Sequence, residues 1–239
     1  LRAGDCTNWA DDRPRWKEQV SGPLAKLLAH VPLIPSAGNH EYDGSLAIKL
    51  EESDKWAINY RKYFARLPSN GSTKHPLHWY ALDYQGLRII STDSTSSGAM
   101  HNGTGWSSYD SGRGLFHPSY MKEQLDWFVK QMDDADRTSK SHVVLINHQP
   151  CLSTIWRQSE VMASCDLMAQ LEKFSKDKNR IAAAFNGHVH SYERGHSMDS
   201  RTLWINAASA SGGLEDMRGQ DNSRLDVFVN ARSDFGYGV

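Results

Sequence analysis

The chain has little cysteine, little proline and no long apolar run. Three cysteines among 239 residues allow at most one disulfide within the chain, so the fold has to stand on a hydrophobic core. The length suffices for one sizeable core. No stretch approaches the roughly 20 consecutive apolar residues of a membrane-spanning helix, and none is read here. An excess of charge of one sign is also missing, with 27 basic against 28 acidic residues. The chain therefore carries no electrostatic footprint for nucleic acid or an anionic membrane. It has no initiator methionine and no signal-peptide pattern. "LRAGD" reads as the tail of a strand and "DFGYGV" as a strand cut short. The expectation is one domain over 1–239, truncated at both ends.

An odd cysteine count leaves one thiol free or paired outside the segment. Cys151 and Cys165 are spaced to close a loop, but spacing alone does not prove the bond. Sequons "NGS" at Asn70 and "NGT" at Asn102 sit in Gly/Ser-rich surroundings and are candidate glycosylation sites. With the cysteines they point to the secretory pathway, either extracellular or a lysosome- or vacuole-like compartment.

The patterning alternates. "WKEQVSGPLAKLLAHV" reads as a helix interrupted near Gly22-Pro23, and "PLIPSAG" as a short buried strand and its exit. "SDKWAINYRKYFARL" has helical spacing with Ser53 as N-cap. "HWYALDYQGLRIISTDS" reads as a hairpin about Gln85-Gly86. Residues 93–117 lack periodicity and form a long loop. In "PSYMKEQLDWFVKQMDDAD", Leu125, Phe128, Val129 and Met132 share one helical face behind Pro118. "HVVLINHQP", "RIAAAFNGHVH" and "TLWINAASASGG" are strands with their exits, and "CDLMAQLEKFSKD" is a helix. Strands alternating with helices predict an α/β layered fold, with a mixed sheet because of the hairpin.

In "FNGHVHSYERG", His188 and His190 stand at i and i+2, so on an extended chain both point the same way. They either share a metal or are two unrelated surface residues; the other strand exits decide. Asp5 in "RAGDC", Asn39 and His40 in "SAGNHEYDG" and His148 in "LINHQP" each follow a predicted strand, where open α/β sheets bind ligands. Mixed oxygen and imidazole donors suit zinc, iron or manganese better than calcium, which takes oxygens.

The ordered set "GD…GNHE…NHQP…GHVHSYER" resembles the calcineurin-like metallophosphoesterase superfamily, and its ending is similar to the purple acid phosphatase branch. The resemblance runs from Leu1 to Val239. It implies a four-layer α/β/β/α sandwich of mixed sheets with a single catalytic domain and two metal ions of the Fe/Zn/Mn type. The implied activity is that of an acid-phosphatase-like phosphomonoesterase, with a small phosphate ester as substrate. Asp5 would bridge both metals; Asn39, His148 and His188 would complete the second site; His190 would belong to the first. His40 would lie against the phosphate as stabiliser or proton donor. Two ions about 3.5–4 Å apart bind the ester, generate hydroxide near neutral pH and stabilise the in-line displacement.

Three departures matter. The family's first metal-binding Asp lies upstream of "GD" and is not in this chain. Purple members carry a tyrosine where this chain has Asn8, followed by Trp9, and the first tyrosine here is Tyr42, so no tyrosinate colour is expected. A phosphate-contacting histidine of some relatives falls by spacing on Arg157, either a bidentate phosphate clamp or a solvated arginine. Glu41 reads as a supporting group behind the ligands. Tyr192, Glu193 and Arg194 read as support for the two histidines, and His101 and His196 as surface histidines or unassigned. Trp9, Trp106 and Trp156 stand on exits or loops where they could line a substrate mouth. A phosphodiesterase or nucleotide pyrophosphatase uses the same ligands, and a secreted structural module with a decayed site is the non-enzymatic alternative.

Overall fold

A computed structural model describes residues 1–7, 13–42, 57–94, 118–154, 164–196, 202–207 and 229–233, with backbone alone for 42, 118–121 and 229–233. Among the described residues nine strands form two sheets. The small one pairs β1 (Arg2–Ala3) with β2 (Pro35–Ser36) in parallel. The large one runs β3 (Tyr80–Tyr84), β4 (Leu87–Ser91), β5 (His142–Ile146), β6 (Ile181–Asn186), β8 (Thr202–Asn206), β7 (Tyr192–His196), β9 (Val229–Ser233).

The hairpin is the expected one. Gln85, at φ 51°, and Gly86 make a two-residue turn that sets Tyr84 opposite Leu87 and Tyr80 opposite Ser91. From β4 to β5, β6 and β8 the neighbours are parallel, so their exits fall on one rim. Helices α4 (Pro118–Arg137) and α5 (Cys165–Lys178) pack side by side. Their buried faces carry Trp127, Phe128, Met132 and Ala135 on α4, and Leu167, Met168, Leu171 and Phe174 on α5. Leu125 is partly buried against the same core, as the helical spacing predicted.

The segment between β1 and β2 is helical and broken, as expected near Gly22-Pro23. A short α1 (Arg13–Arg15) continues as a π-helix over Trp16–Ser21, and α2 (Ala25–Leu28) follows. Trp16 and Val20 are its buried anchors. Helix α3 is described from Ile58 to Tyr63, with Ala57 as N-cap; the predicted Ser53 cap lies outside the described residues. The small sheet is tied to the hairpin through one atom, because the Pro35 carbonyl accepts hydroxyls from Tyr60, Tyr80 and Ser91.

Two strands, β7 and β9, escape the sequence reading. In "YERGH" the alternation is present but inverted, since the inward positions are Glu193 and Gly195 and Arg194 is exposed. A carboxylate pointing into the sheet interior hides the strand from a pattern that looks for apolar residues. The predicted closing strand in "DFGYGV" lies outside the described residues.

Candidate metal centre

The rim where the two sheets meet collects the predicted donors. Asp5 leaves β1, Asn39 and His40 stand on a 3-10 turn after β2 (Asn39–Tyr42), His148 follows β5 and His188 follows β6. His148 Nε2 lies 3.0 Å from Asp5 Oδ2 and 2.9 Å from Asn39 Oδ1. His188 Nδ1 lies 3.2 Å from both Asn39 Oδ1 and His148 Nε2. One proton cannot serve four atoms that all face one another. Around an ion held at about 2.1 Å, neighbouring ligand atoms stand about 3.0 Å apart in octahedral and about 3.4 Å in tetrahedral geometry, close to the 2.9–3.2 Å observed. The residues present therefore fit a metal ion.

His148 is held from behind. His148 Nδ1 is 2.7 Å from the Ala3 carbonyl, a contact that places the proton on Nδ1 and turns the Nε2 lone pair toward the centre. The Ser94 hydroxyl accepts the backbone N–H groups of His148 (3.0 Å) and Gln149 (2.7 Å) and donates to Gln149 Oε1 (2.8 Å). Sequence reasoning left Ser94 inside a featureless loop; its only signal was its place at a strand exit.

The buried carboxylate of Glu41 accepts the N–H groups of Asp5 (2.8 Å), Cys6 (2.6 Å), Thr7 (3.4 Å) and Gly38 (2.6 Å). It thereby fixes both loops of the small sheet, as expected of a supporting group. Burial and the neighbouring Asp5 push Glu41 up to about 7, against the pull of those N–H donors. Burial also pushes Asp5 up, but His148, through charge and hydrogen bond, together with His40 and His188, holds it well below the usual carboxylate range. For His188, burial and the nearby His148 push the ring well below its ordinary value. An ionised carboxylate beside a neutral imidazole is the state that metal binding requires. His148 goes the other way: burial pushes it down, but Asp5, through charge and hydrogen bond, together with the Ala3 carbonyl and Glu41, raises it.

The backbone is strained at two of these residues. Asp5 (φ 46°) and His188 (φ 66°) occupy the left-handed region, uncommon for residues with a Cβ and typical of functional sites. The glycines beside them leave no room either. A Cβ on Gly4 would meet the His148 ring at 2.4 Å, and one on Gly38 would meet Asp5 Oδ1 at the same distance.

The sequence profile of the calcineurin-like phosphoesterase family matches residues 1–192. The chain belongs to that family. Among curated proteins, the chain is similar to purple acid phosphatase 15 of Arabidopsis thaliana, 26% identical over 76% of the chain and 28% of the relative. It is also similar to the Fe(3+)-Zn(2+) purple acid phosphatase 12 of the same plant, 27% identical over 77% of the chain and 33% of the relative. The chain thus spans about a third of the length of these relatives. Two solved structures share the layered fold. PhoD matches with TM-score 0.59 at 15% identity, over 96% of this chain and 51% of that one. GAP50, the anchor in the inner membrane complex of Plasmodium, matches with TM-score 0.54 at 16% identity, over 96% and 64%.

The remaining expectations sort as follows. His40 is half-buried and donates its backbone N–H to Asp5 Oδ1 at 3.0 Å. His190, also half-buried, is close enough to His188 to disfavour its charge but stands outside the tight group of Asp5, His148 and His188. Glu193 is fully buried and hydrogen-bonded to loop and strand groups. His196 is exposed and accepts the Trp204 indole N–H on its carbonyl. Cys151 and Cys165 form a disulfide and Cys6 is a buried free thiol. Arg157, Asn102, Asn8, Trp9, His101, Trp106 and Trp156 lie outside the described residues.

Proposed function

We propose that this chain is the metal-binding part of a phosphoric ester hydrolase, an acid-phosphatase-like phosphomonoesterase working with two metal ions of the Fe/Zn/Mn class. The observation that carries the reading is the convergence of Asp5, Asn39, His148 and His188 donor atoms from two different sheets, with ligand-like separations. The ions would neutralise phosphate charge and lower the pKa of water for in-line attack.

The chain's own residues do the rest. Asp5, held ionised by its histidine neighbours and with 21% of its side chain exposed, would be a ligand to both ions, since two close cations need a negative ligand. Asn39 would supply a neutral oxygen, leaving an ion it held more electrophilic than another carboxylate would. His190 would supply an imidazole to the first ion. His40, fixed through its backbone to Asp5, is reachable from solvent and serves the phosphate or the leaving-group oxygen as proton donor. Arg157 is the proposed phosphate clamp. The disulfide supports an oxidising, secretory setting, with Asn70 and Asn102 as glycan acceptors. The Asn70 amide already pairs with the Ala81 backbone, donating at 2.8 Å and accepting at 3.0 Å. Attachment of a sugar leaves one N–H for that contact.

The test is metal content of the full-length protein together with turnover of p-nitrophenyl phosphate and bis-p-nitrophenyl phosphate. Two bound metals and monoester hydrolysis that falls at least about a hundredfold in His40→Ala are the expected result. Faster diester hydrolysis would transfer the site to phosphodiesterases. Metal-free protein inert toward both substrates would leave the fold as a binding module.

A further inference from the structure

An asparagine closes or directly follows each of the three parallel strands β5, β6 and β8: "INH", "FNG" and "INA". The register lines them up. Ile146 pairs with Phe185, so Asn147 follows opposite Asn186; Asn186 pairs with Asn206, and Asn206 with Glu193 on β7. The four residues make one row across four strands, and all are buried, with Asn186 the most exposed at 3%. A row at this depth would ordinarily be apolar, because buried amides are favourable only when their hydrogen bonds are met.

All but one are met: Asn147 Oδ1 has no hydrogen-bond partner among the described residues, while the amide N–H groups pair in sequence. Asn147 Nδ2 donates to Asn186 Oδ1 at 2.9 Å, Asn186 Nδ2 to Asn206 Oδ1 at 3.0 Å, and Asn206 Nδ2 to Glu193 Oε2 at 3.1 Å. Only an amide both donates and accepts in fixed directions, so neither aspartate nor an aliphatic residue could continue the line. The ends return to one loop. Asn147 Nδ2 also donates to the Gln149 carbonyl (2.7 Å) and Asn206 Nδ2 to that of Leu152 (2.8 Å). Glu193 closes the circuit by accepting from the Ser153 hydroxyl (2.8 Å), the Thr154 N–H (2.8 Å) and the Thr154 hydroxyl.

We infer that the Asn147–Asn186–Asn206–Glu193 row is a positioning ring that sets the separation of His148 and His188 and hence the metal affinity of the site. His148 directly follows Asn147, His188 comes two residues after Asn186, and the loop the ring closes is the one His148 begins. Their nitrogens sit 3.2 Å apart, and the Asn147–Asn186 bond is the side-chain link between the strands that carry them. This rests on the reading of those histidines as ligands.

The test is zinc affinity of the full chain, measured by competition with a chromophoric chelator, beside the thermal midpoint of the chelator-stripped protein. Asn186→Asp keeps the shape and the acceptor for Asn147 but loses the donor to Asn206. Asn147→Ser cuts the other side and is read alongside, so that a folding failure of one variant leaves the other to decide. Affinity lowered about tenfold or more in the folded variant supports the inference. Affinity within about twofold of wild type overturns it, whether or not the midpoint falls, since a merely structural row lowers stability alone. A wild-type chain that takes up no zinc, iron or manganese removes the ligand reading itself, and is distinguishable because it needs no variant.

Discussion

The candidate metal centre has two halves built on opposite terms. The small-sheet half brings oxygens, from Asp5 and Asn39, on loops left by two-residue strands. The large-sheet half brings nitrogens, from His148 and His188, at the exits of five- and six-residue strands. Each half has one buried glutamate that gathers donors. Glu41 collects backbone N–H groups, whereas Glu193 collects mostly side-chain hydroxyl and amide groups. Short strands cannot fix the small-sheet loops, so a charge bonded to rigid backbone does it. The large sheet already fixes its strand ends, and its glutamate has only to gather one loop.

Removing a ligand from either half should have the largest effect. Asp5→Asn and His148→Ala are each expected to lower phosphate-ester turnover at least about a thousandfold, read by steady-state kinetics on matched protein. If one half tolerates the change, the centre is not shared between the sheets.

Next is the contact between the halves. Gly4→Ala puts a methyl group against the His148 ring in a left-handed backbone (φ 75°). A loss of about 3 kcal/mol is expected in denaturant unfolding, with metal binding lost as well. Reducing Cys151–Cys165, or replacing both with serine, should weaken only the large-sheet half, by about 3 kcal/mol for a loop of this size.

The two glutamates sharpen the comparison further. Glutamine offers one acceptor oxygen and an NH2 group. In Glu41→Gln that NH2 must face backbone N–H donors that cannot turn away, for about 2 kcal/mol. In Glu193→Gln the Ser153 and Thr154 hydroxyls can rotate to accept, so the loss should be about half as large. Equal thermal shifts would show that the two buttresses work alike.

The smallest effect belongs to a group outside both halves. His75 is half-buried, and burial with the nearby His78 lowers it to about 4 from an ordinary 6.5. Between those values the unfolded chain holds a proton that the folded chain does not, so stability falls as pH drops from 6.5 to 4. His75→Gln should flatten the thermal midpoint against pH in that window; an unchanged slope would assign the acid sensitivity elsewhere.

The candidate ligands were legible because their spacing along the chain is tied to strand exits, and strand exits follow from apolar runs such as "HVVLI" and "IAAAF". The α/β class, the hairpin and the main helices came from the same periodicities. What supports the ligands was not legible. Ser94 and the Ala3 carbonyl act through position alone, and β7 was hidden because its inward residue is a carboxylate. The three strand-end asparagines were in plain view, but an asparagine after a strand reads as a turn former until its neighbour across the sheet is known. Sequence by itself therefore determined which atoms could bind a metal, since donor chemistry is a property of residue type. Only the tertiary structure decided that four of them face one point and that a row of buried amides lies across the strands behind two of them, because register and inter-sheet contacts join residues that lie far apart along the chain.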